Sequence, residues 1–233
     1  GNRYTRYYFG QETGENAKPF RFPPVDNWEE LRKQANEAVM PAALAAGEAV
    51  TLVDVATIPN VKIENVYAGV DNIFGAPLYT VNKLYLGSKA VEALTKVQER
   101  LASKGYGLVV WDAYRPWAVS KLAHLALPAD KKYMLEDPDL KGNKHNTGNA
   151  VDVSLYDLET GEAIEMSSGF DEPSMRQYAS YPGGTERQRY LRTMLRETME
   201  EFGFTGIEME WWHFEYDAQT AYAHQNIPLE NLK

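Results

Sequence analysis

Apolar and polar positions alternate over residues 150–155. Val151, Val153 and Leu155 fall on one side of a predicted strand, and Ala150, Asp152 and Ser154 on the other. A helical spacing is clear over 185–202, where Leu191, Met194, Leu195, Thr198 and Phe202 share a side and Gly203 ends the run. A second helix is predicted from a cap at Ser88 to about Ser103, with Val91, Leu94, Val97, Gln98 and Leu101 near the same period. Residues 28–46 are rich in Ala, Glu and Leu, which favours a third helix. Asp26 or Asn27 is its expected cap, Pro41 its expected break or kink, and Gly47 its end. Pro116 suits the first turn of a fourth, running to about Ala126. Strands are predicted over 50–57, 108–111 and 208–216. The long loop 166–184 holds Gly169, Pro173, Pro182 and Gly183, and loops of that length in a compact domain usually serve function. Residues 1–27 read as an irregular extended arm. Residues 1–49 are thus expected as an arm and helix packed on one domain of residues 50–233.

Composition narrows the function. The chain has 233 residues, of which 44% are hydrophobic, enough for a substantial core. A net charge of −9 argues against nucleic acid as a partner, because phosphates call for Lys and Arg. There is no Cys, which excludes disulfides, thiolate metal sites and a Cys nucleophile. No run of 18 apolar residues exists to span a membrane. Gly1 stands where Met is usual, and a processed start is expected, with the periplasm or cell envelope as the compartment and the cytoplasm as the alternative.

The candidate chemistry sits in two segments. Asp152 lies mid-strand among apolar neighbours, where a carboxylate is costly to bury unless paired. His145 precedes it by a short Gly-containing loop, and His213 lies in Glu210-Trp211-Trp212-His213. Two imidazoles and a carboxylate fit a zinc site with one open position, and imidazole favours zinc over magnesium or calcium. The plainer alternative is a surface His, a turn Asp and a core His. Glu210 is the candidate general base, or else a solvated Glu. It and His213 are three apart and would face opposite sides of a strand. Glu210 therefore lies before the strand, or a bulge occurs near Trp211. Arg115 follows a short buried strand, placed either to stabilise an oxyanion or to pair with Asp112. Asp171, in the long loop, either accepts a substrate ammonium or caps a turn.

Taken together, His145-x-x-Gly148-x-Ala150-x-Asp152, Glu210-Trp211-Trp212-His213, Trp111-Asp112-Ala113-Tyr114-Arg115-Pro116, Phe170-Asp171 and the loop 67–75 resemble the zinc D-alanyl-D-alanine dipeptidases, over about residues 66–217. That resemblance implies a compact α+β fold with a mainly antiparallel central sheet packed with helices. The D,D-carboxypeptidases and the hedgehog signalling domain share this fold. It implies one zinc per chain, held by His145, Asp152 and His213, with Glu210 as base and then acid. Arg115 would stabilise the tetrahedral intermediate, and Asp171 would hold the dipeptide amino group. The family usually has Ser two residues before the first His, associated with substrate contacts, and here that residue is Asn143. The implied reaction is hydrolysis of D-Ala-D-Ala or a closely related cell-wall dipeptide. A D,D- or L,D-carboxypeptidase or endopeptidase acting on longer stem peptides is the first alternative. A non-catalytic zinc-containing binding module is the second.

Overall fold

In the computed structural model, which describes residues 20–233, the chain runs α1 (Trp28–Glu37), β1 (Leu52–Asp54), β2 (Lys62–Ile63), β3 (Tyr85–Gly87), α2 (Ser88–Ala102), β4 (Tyr106–Asp112), α3 (Trp117–Ala126), β5 (Ala150–Asp157), α4 (Glu186–Glu201), β6 (Phe204–Gly206) and β7 (His213–Tyr216). Five strands form the central sheet in the order β2-β4-β5-β7-β6. Only the β2–β4 pair is parallel. β1 and β3 form a separate antiparallel pair. The expected α+β class, mainly antiparallel with packed helices, is therefore the observed one.

The alternation over β5 has the predicted consequence. Val151, Val153 and Leu155 enter a core with Leu94, Val97 and Leu101 of α2 and Leu191, Leu195 and Met199 of α4. Asp152, at the next position along the strand, turns to the opposite face and away from those helices. A second core joins Ala35 of α1 to Leu122, Ala123 and Ala126 of α3, with Tyr67, Tyr79, Tyr85 and Tyr114. Phe170, in the long loop 166–184, packs against both cores.

Several boundaries differ from expectation. Residues 28–46 do not form one helix, because α1 ends at Glu37 and Ala38 is already extended at φ −69°, ψ 145°. A proline at position 41 clashes with the carbonyl four residues back and forces the residue before it out of helical geometry. A short 3-10 turn, Ala42–Ala45, follows. Gly47 does not end a helix. It sits at φ +123°, and a Cβ there would lie 2.5 Å from the Ala221 carbonyl oxygen, so the C-terminal segment can pack against it only as glycine. Asn27 occupies the cap position of α1 but makes no side-chain bond, and Gly87 rather than Ser88 caps α2. The expected strand over 50–57 shortens to β1, because Asp54 accepts from the Ala56 amide and starts a 3-10 turn. The expected strand over 208–216 keeps only β7. Residues 207–212 turn, and β6, absent from the sequence reading, pairs with β7. α4 follows its prediction closely, and Thr185 and Gln188 close a reciprocal capping box at its start. Of the expected N-terminal arm, residues 1–19 lie outside the described residues. Phe22 is buried, and its amide donates to the Ile73 carbonyl.

Candidate metal centre

Strand register brings the two distant segments together. Asp152 on β5 lies directly opposite His213 on β7. An irregularity between Val110 and Asp112 on β4 sets Asp112 beside Asp152 from the other flank. His145 comes from the 3-10 turn Lys144–Thr147, whose C-cap Gly148 adopts φ +80° and returns the chain into β5. A left-handed residue there lets a single short turn deliver both His145 and Asp152.

The three donor groups face one another. His145 Nε2 lies 3.4 Å from Asp152 Oδ2 and 3.2 Å from His213 Nδ1, and His213 Nδ1 lies 3.0 Å from Asp152 Oδ1. All three residues are buried. Their potential ligand atoms all fall within 4.8 Å of one another. His145 Nδ1 is 2.7 Å from the Ala113 carbonyl oxygen, so it carries the proton and donates. That leaves the Nε2 lone pair directed into the cluster. Burial alone would raise the Asp152 carboxyl, but His145 and His213 outweigh it and hold Asp152 well below the usual carboxylate range. Burial alone would lower His213, yet Asp152 and Glu215 push it up to about 10. Two imidazoles and a carboxylate converging in this way form a donor set suited to a cation.

Glu210 lies on the turn before β7, which settles the two sequence alternatives in favour of a pre-strand position. The His213 amide donates to the Glu210 carbonyl, and Glu210 Oε2 is 4.0 Å from His213 Nδ1. Burial pushes the Glu210 carboxyl up, and the Asp152 charge adds to it against the neighbouring His213. The turn is fastened to the long loop. The Trp211 indole donates to Ser168 Oγ at 2.8 Å, and the Trp211 amide donates to the Gln177 carbonyl.

Arg115 pairs with Asp112, as one sequence alternative held. Its Nη2 is 2.5 Å and its Nε 3.1 Å from Asp112 Oδ2, and Tyr79 donates its hydroxyl to Asp112 Oδ1 at 2.7 Å. Its Nη1 has no partner among the described residues, and its guanidinium lies 5.1 Å from the centre of the Tyr67 ring. The pairing therefore holds the arginine at the site with one amino group spare. Asp171 adopts a left-handed conformation at φ +52° and accepts a hydrogen bond from the Tyr67 hydroxyl. Burial pushes its carboxyl up to about 8, partly offset by that hydrogen bond, and the charges of Glu210 and Asp152 raise it further. Phe170 beside it packs against Tyr67, Trp111 and Trp212 at ring distances of 5.7, 5.2 and 5.6 Å. Asn143 caps the His145 turn, and its side-chain oxygen accepts from the His145 amide at 2.9 Å. Serine makes the same cap.

Sequence reading passed over Asn146. It is fully buried. Its Nδ2 donates to the Arg115 carbonyl and to Ser120 Oγ at 2.8 and 2.9 Å, and its Oδ1 accepts from the Asn143 amide. The Arg115 amide in turn donates to the His145 carbonyl at 3.0 Å. One amide side chain thus ties the arginine segment to the histidine turn. Asn146→Ala is expected to destabilise the protein by about 1–3 kcal/mol for each buried group left without a partner. Urea denaturation measures it, and a change below about 0.5 kcal/mol would contradict this account.

Each of these side chains alone is ordinary. What they add up to is a candidate cation site with a further carboxylate and a guanidinium beside it, the kind of equipment with which a metallohydrolase activates water and steadies the charge that forms on a carbonyl. The chain belongs to the D-alanyl-D-alanine dipeptidase family, whose model, described as D-ala-D-ala dipeptidase, matches residues 48–230. It is 37% identical over 172 residues to a D-alanyl-D-alanine dipeptidase of Escherichia coli (strain K12), covering 73% of this chain and 87% of that one. It is 32% identical over 174 residues to an Enterococcus faecium D-alanyl-D-alanine dipeptidase, covering 67% and 86%. The solved LdcB LD-carboxypeptidase aligns over 81% of each chain at 18% identity, with a TM-score of 0.44. Among the described residues, no helix is long and apolar enough to cross a membrane.

Proposed function

We propose that the chain is a zinc dipeptidase that hydrolyses D-Ala-D-Ala, with His145, Asp152 and His213 holding the metal. The observation that carries this reading is the spacing of the three donors. Zinc ligands at about 2.0–2.1 Å in tetrahedral arrangement stand about 3.3 Å apart. The donor separations here are 3.0, 3.2 and 3.4 Å. Two imidazoles and one carboxylate are also a donor set suited to zinc.

Zinc in this position supplies Lewis acidity, which lowers the pKa of a water molecule to about 7 and polarises a carbonyl. The rest of the work falls to side chains of this chain. Glu210, with its affinity for protons raised by burial, takes a proton from the attacking water and returns it to the leaving amine nitrogen. Arg115, held by Asp112, steadies the charge that develops on the carbonyl oxygen. Asp171, oriented by Tyr67, receives the substrate ammonium, which favours the ionised carboxylate. Asn143 spends its oxygen on the turn cap, which leaves its amide nitrogen for substrate contact. Phe170, Trp111, Trp211 and Trp212 form an apolar wall beside these charged groups, which keeps water from screening them.

The test is release of free D-alanine from D-Ala-D-Ala by zinc-loaded protein, beside a sample treated with chelator. Chelator-sensitive release, restored by added zinc, is the expected result. Cleavage of longer stem peptides alone would replace the dipeptide with the stem. Inertness towards both, in protein shown to hold zinc, would overturn the reading.

A further inference from the structure

Glu215 has no part in the chemistry described above, yet it lies on the same face of β7 as His213, two residues on. Its partner across the ladder on β5 is Ala150. Glu215 Oε1 lies 3.6 Å from His213 Nε2, the ring nitrogen that faces away from the metal cluster. Its other oxygen, Oε2, is 3.4 Å from Lys144 Nζ, and Lys144 begins the turn that carries His145. The carboxylate thus stands between the rear of one proposed ligand and the turn bearing another.

A neutral imidazole carries one proton, and its metal-binding nitrogen is the one without it. The two histidines here face the cluster through different nitrogens, His145 through Nε2 and His213 through Nδ1. His145 has the Ala113 carbonyl to receive its Nδ1 proton. His213 needs a matching acceptor behind Nε2. Among the described residues, Glu215 is the group placed to be that acceptor.

We propose that Glu215 is a positioning residue that holds the His213 proton on Nε2, keeping the Nδ1 lone pair on the metal, with Lys144 holding Glu215 in place. The inference rests on the zinc reading above. It predicts that Glu215 governs metal affinity rather than the fold. Glu215 borders a cavity of about 260 Å³, together with Lys144, Asn149 and His224, so the side chain can be replaced without repacking the core.

The experiment measures zinc affinity of the full chain by competition with a chromophoric chelator, for the unmodified protein, Glu215→Ala and Glu215→Gln. Partners behind a ligating histidine typically contribute 10–100-fold to metal affinity. Glu215→Ala is expected to weaken zinc by about that factor with little change in thermal midpoint. Glu215→Gln, which keeps an oxygen acceptor, is expected to recover most of the loss. Nitrogen-15 NMR of the His213 ring in the unmodified, zinc-loaded protein gives a reading that needs no variant, with the proton expected on Nε2. A Glu215→Ala protein that binds zinc as tightly as the unmodified chain would overturn the inference, as would a His213 proton on Nδ1. Failure of the unmodified chain to bind zinc at all would overturn the metal reading, and this inference with it.

Discussion

Glu210→Gln is expected to lower kcat/KM for D-Ala-D-Ala by about 10²–10⁴-fold while zinc remains bound. Glutamine matches glutamate in size and keeps an oxygen acceptor, but it cannot take up a proton at neutral pH. The carboxylate stands 4.0 Å from His213 Nδ1, outside the closest contacts that link His145, Asp152 and His213. Its removal therefore takes away proton transfer and leaves the donor set whole. Burial also raises its carboxyl, which brings it closer to the pH at which it works than an exposed glutamate would be. Steady-state kinetics and a zinc determination on the same sample check both halves. A Glu210→Gln protein of ordinary activity would remove Glu210 from the reaction. Loss of zinc along with activity would make it part of the metal site instead.

Arg115→Ala carries the other large effect, because two consequences meet in one side chain. Asp112 is fully buried, and its carboxylate is held by Arg115 and Tyr79. Taking away the guanidinium leaves a buried charge with the Tyr79 hydroxyl and, at 3.7 Å, His145 Nδ1 but no cation paired to it, and breaking a buried pair in this way costs about 3–5 kcal/mol. For a chain of this size that is a fall of roughly 6–20 °C in the thermal midpoint. Removal of a donor to the developing oxyanion should also reduce kcat by about 10²–10³-fold, beyond any loss from unfolding. Arg115→Lys separates the two. Lysine restores the charge beside Asp112 and should regain much of the stability, but its single ammonium cannot both pair with Asp112 and serve the carbonyl. Its midpoint should approach that of the unmodified chain while kcat stays low. If Arg115→Lys recovered both, point charge alone would explain the residue.

The helices and the central strand were legible because their signal is local. The spacing of Leu191, Met194 and Leu195 and the alternation of Val151, Val153 and Leu155 record which side faces a core, and those residues pack together in one. Boundaries were less legible. Pro41 was expected to kink or break a helix that stops at Glu37, and Gly47 was assigned to a helix end when its positive φ serves a close approach of the C-terminal segment instead. β6 was missed because three residues carry no readable period, and its pairing with β7 supplies what its sequence lacks.

The sequence by itself named the candidate residues of the proposed site. His145, Asp152, His213 and Glu210 were recognisable from residue type and immediate setting, since a carboxylate or imidazole among apolar neighbours requires a partner wherever it folds. Even the relation of Glu215 to His213 was implicit in their two-residue spacing on a strand. Only the tertiary structure decided which groups meet. The register of β5 against β7 sets Asp152 opposite His213, Asn146 joins the Arg115 segment to the His145 turn, and Tyr67 reaches Asp171 across 104 positions of chain. Periodicity encodes whether a side chain is buried and on which face, but not which distant residue lies across from it. That depends on how whole elements pack, and no local pattern carries it.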